Sequence, residues 1–201
     1  SIVIDPGNLT ANESFEIDLA ELSITSESAY PIYYGSKESN LIVNVVRGSE
    51  NALAYNGTTD KGTALFSENN LEIEGGGRLN LLTTKAGHGL RGDDLVLAGS
   101  TDINISAIHD GIHHKTFTSS LFSGTTSIAS RGSEAFDICD NDSTLSSYKG
   151  AINFGTSSGT FAIGKRNDVF EVDNSFAIPN GVSISASECL SAAVTNLNAS
   201  A

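Results

Sequence analysis

Residue types that are typical of helical bundles and membrane helices are scarce or missing in this chain. It has no Met, no Trp and only three Pro, and charged residues make up 17% of it. No apolar run approaches the roughly 20 residues that a helix needs to cross a bilayer. Ser, Thr, Asn and Gly carry most of the polarity instead, and these residues suit turns and the polar faces of strands. The composition therefore favours a β-protein.

Basic residues are scarce as well: 11 Lys and Arg stand against 24 Asp and Glu, for a formal net charge of −13. Such a chain has little with which to neutralise phosphates, which disfavours nucleic acid as a partner. An acidic surface and several Asn-x-Ser/Thr sequons predict an extracellular or cell-surface location, with carboxylates available for divalent cations. The two cysteines, Cys139 and Cys189, are compatible with a disulfide and with two buried thiols.

A repeat of about two dozen residues is the strongest signal in the chain. Apolar residues recur 24 positions apart in four pairs: Leu71 and Leu95, Ile73 and Leu97, Leu79 and Ile103, Leu81 and Ile105. Each unit holds two short alternating strands separated by a Gly-rich corner. A unit this short cannot bury its own apolar face, so it must stack on its neighbours. The pattern predicts an all-β coil of stacked strands, a parallel β-helix (solenoid).

The repeat divides the chain into three parts. Residues 1–40 lie outside it and are predicted to cap the open end of the coil or to exchange strands with a neighbour. The β-helix is predicted over residues 41–188, with an irregular insertion at about 115–150 where the spacing breaks. Residues 189–201 are predicted to form a C-terminal tail.

Several short motifs together resemble a known family. They are "NNLEIEGGGRLNL", "GHGLRGDDLVLAGSTDINIS" and "HDGIHH", with "SGTFAIG" at Ser158–Gly164 similar to a closing turn. This order resembles a bacterial family of secreted carbohydrate-binding domains, which are calcium-binding, right-handed parallel β-helices of pectate-lyase-like shape. The resemblance implies a right-handed coil, adhesion to polysaccharide at the cell surface, assistance by calcium, and binding without catalysis.

A calcium site is predicted where polar residues of successive turns stack. Asp93 and Asp94 follow one corner, Glu68 and Asn69 take the equivalent place one turn earlier, and Asp110 is expected nearby. Calcium prefers six to eight oxygen ligands, which carboxylates, amides and backbone carbonyls supply. The alternative is that these side chains only form hydrogen bonds with the backbone of turns.

Histidines and tyrosines are the remaining candidates. His109, His113 and His114 lie within six residues. Because strand alternation sends His113 and His114 to opposite faces, a surface or corner role is favoured over a transition-metal site. Tyr30, Tyr33 and Tyr34 form the densest aromatic stretch and are predicted to contact a sugar, since such amphipathic rings suit sugar surfaces. Packing between the cap and the core is the alternative.

Together these features predict a secreted or cell-surface domain that binds polysaccharide without catalysis. The alternative is a structural subunit of an extracellular fibre or surface layer, assembled through strand pairing at the ends of the coil. A polysaccharide lyase is a minor alternative, because basic residues such as Lys85, Arg91 and Lys115 lie near the corners.

Overall fold

A computed structural model describes residues 1–28, 30–130 and 134–138, together with six short strands between positions 151 and 198. This described part is all-β and contains no helix. Within it, no helix is therefore long and apolar enough to cross a membrane. The strands in chain order are β1 (Ile2–Ile4), β2 (Ser14–Leu19), β3 (Ser23–Ser26), β4 (Ile32–Tyr34), β5 (Asn40–Val45), β6 (Glu50–Tyr55), β7 (Thr63–Ser67), β8 (Leu71–Gly75), β9 (Arg78–Thr83), β10 (His88–Gly99), β11 (Asp102–Ala107), β12 (Ile112–Phe122), β13 (Thr125–Ser130), β14 (Phe136–Ile138), β15 (Ala151–Asn153), β16 (Thr160–Ile163), β17 (Phe170–Val172), β18 (Phe176–Ala177), β19 (Ser183–Ala186) and β20 (Leu197–Asn198).

The strands form three parallel ladders that follow the chain from turn to turn. The first ladder runs β1-β4-β7-β10-β12-β14-β17, and the third runs β3-β6-β9-β11-β13-β16-β19. The second runs β2-β5-β8-β10-β12-β15, since the long strands β10 and β12 take part in both the first and the second. Strands β18 and β20 form a separate parallel pair. Successive turns thus stack directly, and the predicted parallel β-helix is confirmed.

The apolar repeat lies inside the coil. Leu71 is opposite Leu95 and Ile73 is opposite Leu97 in the second ladder, as the spacing predicts. The pairs that begin at Leu79 and Leu81 are opposite their partners in the third ladder. All eight residues are buried, because every second side chain of a strand points to the same face. One continuous apolar core therefore runs along the coil.

Residues 1–40 contribute β1–β4 and the first residue of β5 to this coil. Strand β2 pairs in parallel with β5, and β3 pairs with β6, so the segment adds a turn at the N-terminal side. Within this chain β1, β2 and β3 are the outermost strands of their ladders. A cap of the chain's own core and a surface for a neighbour both remain predictions.

The predicted irregular insertion is wrong over residues 115–130, which form most of β12 and all of β13. Val96 is opposite Thr118 but Ala98 is opposite Leu121, so β12 contains one extra residue at this point. That residue breaks the sequence spacing while the parallel pairing continues on both sides. Residues 139–150, including Cys139, lie outside the described residues, as do Cys189 and most of the predicted tail.

Candidate functional site

One row of side chains on the outer face of the first ladder changes its chemistry at every turn. It is defined here as the outer row, and its members are Tyr33, Phe66, Arg91, His113 and Asp137, each opposite the next. All five are half-buried, whereas the residues beside them at positions 32, 65, 90, 112 and 136 are buried in the core. The alternation of each strand therefore holds the row on the surface, one residue per turn.

The N-terminal half of the outer row is aromatic. Tyr30 precedes β4 and stacks on Tyr33, with ring centroids 5.6 Å apart and an interplanar angle of 24°. Phe66 contacts both rings, at 5.0 Å from Tyr30 and 5.5 Å from Tyr33. The Arg91 guanidinium lies over the Phe66 ring, 5.3 Å from its centroid. Three half-buried rings and a stacked cation thus form one amphipathic patch, defined here as the aromatic patch.

Hydrogen bonds fix the polar ends of this patch. The Tyr33 hydroxyl donates to Glu68 Oε1 at 2.9 Å, and Arg91 Nη1 donates to the Lys61 carbonyl at 3.3 Å. Burial is the main cause that raises the pKa of Tyr33 to about 12, and the Glu68 carboxylate adds to it. Tyr33 is therefore a neutral donor throughout the physiological range.

The structure separates the three tyrosines that were predicted to contact a sugar. Tyr30 and Tyr33 belong to the aromatic patch. Tyr34 points into the core, where it is fully buried and its hydroxyl lies 2.6 Å from Ser39 Oγ. The prediction of a ligand contact is wrong for Tyr34, because alternation along β4 places it opposite in direction to Tyr33.

Two glycine corners position the next group of side chains. His88 and Asp110 stand at equivalent places in successive turns, and the Gly89 amide donates to the Asp110 carbonyl at 3.1 Å. A methyl group on Gly89 would overlap Ile105 Cγ2, and one on Gly111 would overlap Ile128 Cγ2. Only glycine lets the backbone lie so close to the core, and this fixes where His88 and Asp110 begin.

A cluster of two histidines and two aspartates forms where these corners meet the outer row. Asp110 Oδ2 lies 3.0 Å from His88 Nδ1 and 3.3 Å from His113 Nδ1. His113 Nδ1 also lies 2.7 Å from Asp137 Oδ2. The other oxygen of Asp110 accepts a hydrogen bond from the Glu134 backbone amide at 3.2 Å. Three turns therefore contribute to one compact group, defined here as the His–Asp cluster.

The charges in the His–Asp cluster depend on one another. Burial alone would raise the pKa of Asp110, but contacts with His113 and His88 outweigh it and hold that pKa below its usual range. Burial alone would lower the pKa of His113, but the two aspartates raise it to about 9. Burial lowers the pKa of His88, against a smaller opposing effect of Asp110. At neutral pH the group therefore holds a His113 imidazolium between two carboxylates, beside a neutral His88.

The other two histidines differ in surroundings. His109 is half-buried, and its Nε2 lies 3.4 Å from the exposed carboxylate of Asp60. His114 is buried in the core beside Gly92, and burial lowers its pKa to about 3. His113 and His114 thus face opposite ways, as the alternation predicts, and the three histidines of "HDGIHH" do not share one site.

The predicted calcium ligands lie at two separate places. Asp93, Asp94, Glu68 and Asn69 share one corner, where the Asp93 amide donates to the Asn69 carbonyl at 3.4 Å. Asp110 instead pairs with the turn that contains His88, five residues earlier along β10 than Asp93. At about 3.3 Å per strand residue, that separation amounts to about 16 Å. The expectation that Asp110 lies beside the other four is therefore wrong.

The side chains at this corner already have partners. Lys115 Nζ donates to Asp93 Oδ2 at 3.0 Å, and Thr116 Oγ1 donates to Asp94 Oδ1 at 2.7 Å. Asn69 Nδ2 donates to the Ser39 carbonyl at 3.2 Å, which leaves its side-chain oxygen directed elsewhere. The donors present are oxygens of the kind calcium takes, so the residues fit such an ion once Lys115 moves away.

Sequence reasoning missed Phe66, Arg91, His88 and Asp137 as members of these groups. Their separations along the first ladder are 25, 22 and 24 residues for the steps from Phe66 to Arg91, to His113 and to Asp137. A search that follows strand pairing rather than one fixed period would have placed them in a row.

A stacked β-helix whose chemistry lies on its outer faces is the architecture of a surface-binding domain rather than of a deep-cleft protein. The chain belongs to the family of carbohydrate-binding domain-containing proteins, whose model matches residues 2–200. No curated protein and no solved structure matches the chain. Family membership supports a role in binding polysaccharide, and it favours binding over catalysis.

Proposed function

We propose that this chain is an extracellular, non-catalytic domain that adheres to a neutral polysaccharide through the aromatic patch, with assistance from calcium at the Asp93 corner. The observation that carries the proposal is the contact among Tyr30, Tyr33 and Phe66 on the outer face. Family membership supplies the ligand class, and the patch supplies a place for it.

The geometry of the patch suits an extended chain of sugars. Neighbouring turns are about 4.8 Å apart, and the ring centroids follow at 5.0 to 5.6 Å. The apolar face of a pyranose packs on such rings, while the Tyr33 hydroxyl and the Arg91 guanidinium supply polar contacts at the edge. A flat patch of this kind can follow a chain without enclosing its ends.

Charge selects the kind of polysaccharide. The protein carries a formal charge of −13, and such a surface repels a polyuronate at low ionic strength. Arg91 is the one cation stacked on a ring of the patch in the described part of the chain. A neutral glycan therefore fits better than an acidic one.

Pull-down on insoluble neutral glycans tests this proposal, with soluble polyuronate as the comparison ligand. Tyr33→Ala should weaken binding roughly tenfold, about 1.4 kcal/mol, because it removes the ring that both other rings contact. Tyr33→Phe should retain most of the affinity, because it keeps the ring and loses only the bond to Glu68. Leu121→Ala, at a position that is 77% exposed in β12, serves as the matched control. Equal binding by wild type and Tyr33→Ala, with both folded, would remove the patch as the ligand site.

Calcium is linked to the patch through Glu68. This residue accepts the Tyr33 hydrogen bond and is also one of the four oxygen-bearing residues at the Asp93 corner. Asp93, Asp94, Glu68 and Asn69 would hold the ion, which would supply positive charge that fixes the corner. An ion there would order Glu68, and through it Tyr33, which is how calcium would assist binding.

Assembly into a fibre or surface layer is the second candidate, and the N-terminal edge favours it. Strands β1, β2 and β3 have neighbours on one side only within this chain. Val3 is 66% exposed, and Ile2 and Phe15 are also exposed at this edge. Apolar side chains on an open strand edge are the usual means by which β-sheets join.

Deleting residues 1–24 distinguishes a cap from a strand-pairing surface. The deletion removes the partner of β5 and uncovers Leu41 and Val43. If the segment caps its own coil, the shortened protein should aggregate and melt at a lower temperature. A shortened protein that sediments as a stable monomer, from a parent that forms polymers, would instead support the fibre.

A further inference from the structure

We propose that His88, Asp110, His113 and Asp137 form a binding site for one divalent transition-metal ion of the zinc class. The His–Asp cluster brings four ligand atoms of the right chemistry together from separate strand segments. The three that centre on Asp110, from His88, Asp110 and His113, all lie within 4.8 Å of one another.

The separations match those of a coordination sphere. Zinc bonds of about 2.0–2.1 Å in tetrahedral geometry place neighbouring ligand atoms about 3.3 Å apart. The observed separations are 3.0 Å between His88 and Asp110, 3.3 Å between His113 and Asp110, and 2.7 Å between His113 and Asp137. Shifts of a few tenths of an ångström in side chains would complete the sphere.

The direction of the His88 contact supports this assignment. His88 Nδ1 is buried and lies 3.0 Å from Asp110 Oδ2, yet the two groups are not oriented as a hydrogen bond. A buried ring nitrogen at this distance without a directed bond is expensive in a merely structural network. Atoms that share a metal ion are close in this same way, because their lone pairs point at the ion and not at each other.

The surroundings hold the ligands in place. Asp110 Oδ1 accepts the Glu134 amide at 3.2 Å, so its Oδ2 remains for the ion. The Asp110 side chain is 7% exposed and that of Asp137 14%, and the glycine corners fix the backbone of the two turns that carry His88 and Asp110. Orientation of ligands by second partners is a regular feature of metal sites.

Nitrogen ligands select the class of ion. Two imidazoles with two carboxylates suit zinc, cobalt or nickel, whereas calcium takes oxygen ligands alone. A divalent ion bound by two neutral imidazoles also balances the two aspartate charges. This site is distinct from the Asp93 corner, which offers oxygens only.

The competing explanation is a hydrogen-bonded network in which His113 bridges Asp110 and Asp137. Such a network needs no ion and would also give short distances. Titration of the chelator-treated full chain with cobalt separates the two, because tetrahedral cobalt absorbs in the visible range when it takes nitrogen and oxygen ligands. We expect one cobalt ion per chain, displaced by zinc and not by excess calcium.

Variants locate the ion. His88→Asn and His113→Asn should each weaken zinc binding by at least roughly tenfold, since even loss of a supporting residue has that effect. His109→Asn is the matched control, because His109 lies in the same region and contacts Asp60 instead of the cluster. Equal loss with His109→Asn would show that exposed histidines bind the metal and would overturn the proposal.

Wild-type protein supplies a readout that needs no variant. Nitrogen-15 NMR of the histidine rings should show zinc-dependent changes at Nδ1 of His88 and His113. Unchanged ring signals at saturating zinc, or cobalt uptake without visible bands, would leave the hydrogen-bonded network as the explanation. Glycan pull-down with chelator-treated protein is a separate measurement, so the metal site and the aromatic patch succeed or fail independently.

Discussion

The inside and the outside of the same ladders follow different rules. One inner column runs through Leu41, Leu71, Leu95 and Phe117, which are opposite one another and all fully buried. Each turn places an apolar residue there. The outer row passes over the same number of turns from tyrosine to phenylalanine, arginine, histidine and aspartate.

This contrast shows how a coil separates stability from chemistry. Backbone hydrogen bonds between turns do not depend on the outward side chains, and burial of the inward ones stabilises the stack. Inner positions are therefore held to one residue class, while outer positions can differ at each turn. Function is concentrated where the repeat is least regular.

The largest expected effect comes from breaking an inner column. Leu97→Asp places a carboxylate at a fully buried position opposite Ile73, with no charged partner in the core. The loss should exceed about 4 kcal/mol, and cooperative folding should disappear. Circular dichroism and thermal melting measure it.

The matched control is an outward leucine of the same coil. Leu121→Asp, at a largely exposed position of β12, should change the free energy of unfolding by about 0.5 kcal/mol or less. Equal effects of the two substitutions would show that the inner and outer assignments are wrong.

A smaller effect is expected at the glycine corners, where the inside meets the outside. Gly111→Ala would make its new methyl overlap Ile128 Cγ2 and lie 2.8 Å from the Ala135 carbonyl. Overpacking of this kind should cost about 1–3 kcal/mol in the free energy of unfolding. In Gly76→Ala the methyl would lie 3.1 Å from the Ser100 hydroxyl, which can rotate away, so that control should lose less. Chemical denaturation of both proteins measures the difference, and equal stabilities would argue against a tight corner.

The smallest effect concerns the outer surface at the Asp93 corner. If calcium binds there, about ten times its Kd should stabilise the native state by about 1.4 kcal/mol, a rise of a few degrees in melting temperature. Asp93→Asn with Asp94→Asn should abolish most of that rise, whereas Asp110→Asn should leave it. Melting curves that coincide in chelator and in millimolar calcium would end the calcium proposal.

The core was predictable because its rule repeats. Leu71 and Leu95 carry the same information twice, so a period of 24 residues suffices to place both. The His–Asp cluster was not predictable in this way, because the steps along its ladder are 25, 22 and 24 residues. A fixed period aligns the corners at His88 and Asp110 but loses the partner of His113.

Proximity in sequence also misled where it conflicted with alternation. Tyr33 and Tyr34 are adjacent, yet one belongs to the aromatic patch and the other to the core. Asp93 and Asp110 were grouped because their corners look alike, although most of a strand separates them. In both cases the physical rule was available, since it follows from the direction of each side chain along a strand.

The extra residue in β12 gives the coil tolerance to small insertions. A single residue added inside a regular strand would turn every later side chain to the opposite face. Here the added residue lies between Thr118 and Leu121, so Phe117 before it and Phe122 after it both remain buried. Members of such a family can therefore gain or lose single residues at one turn while the turns on either side keep their orientation, and turn length can drift during evolution without loss of the fold.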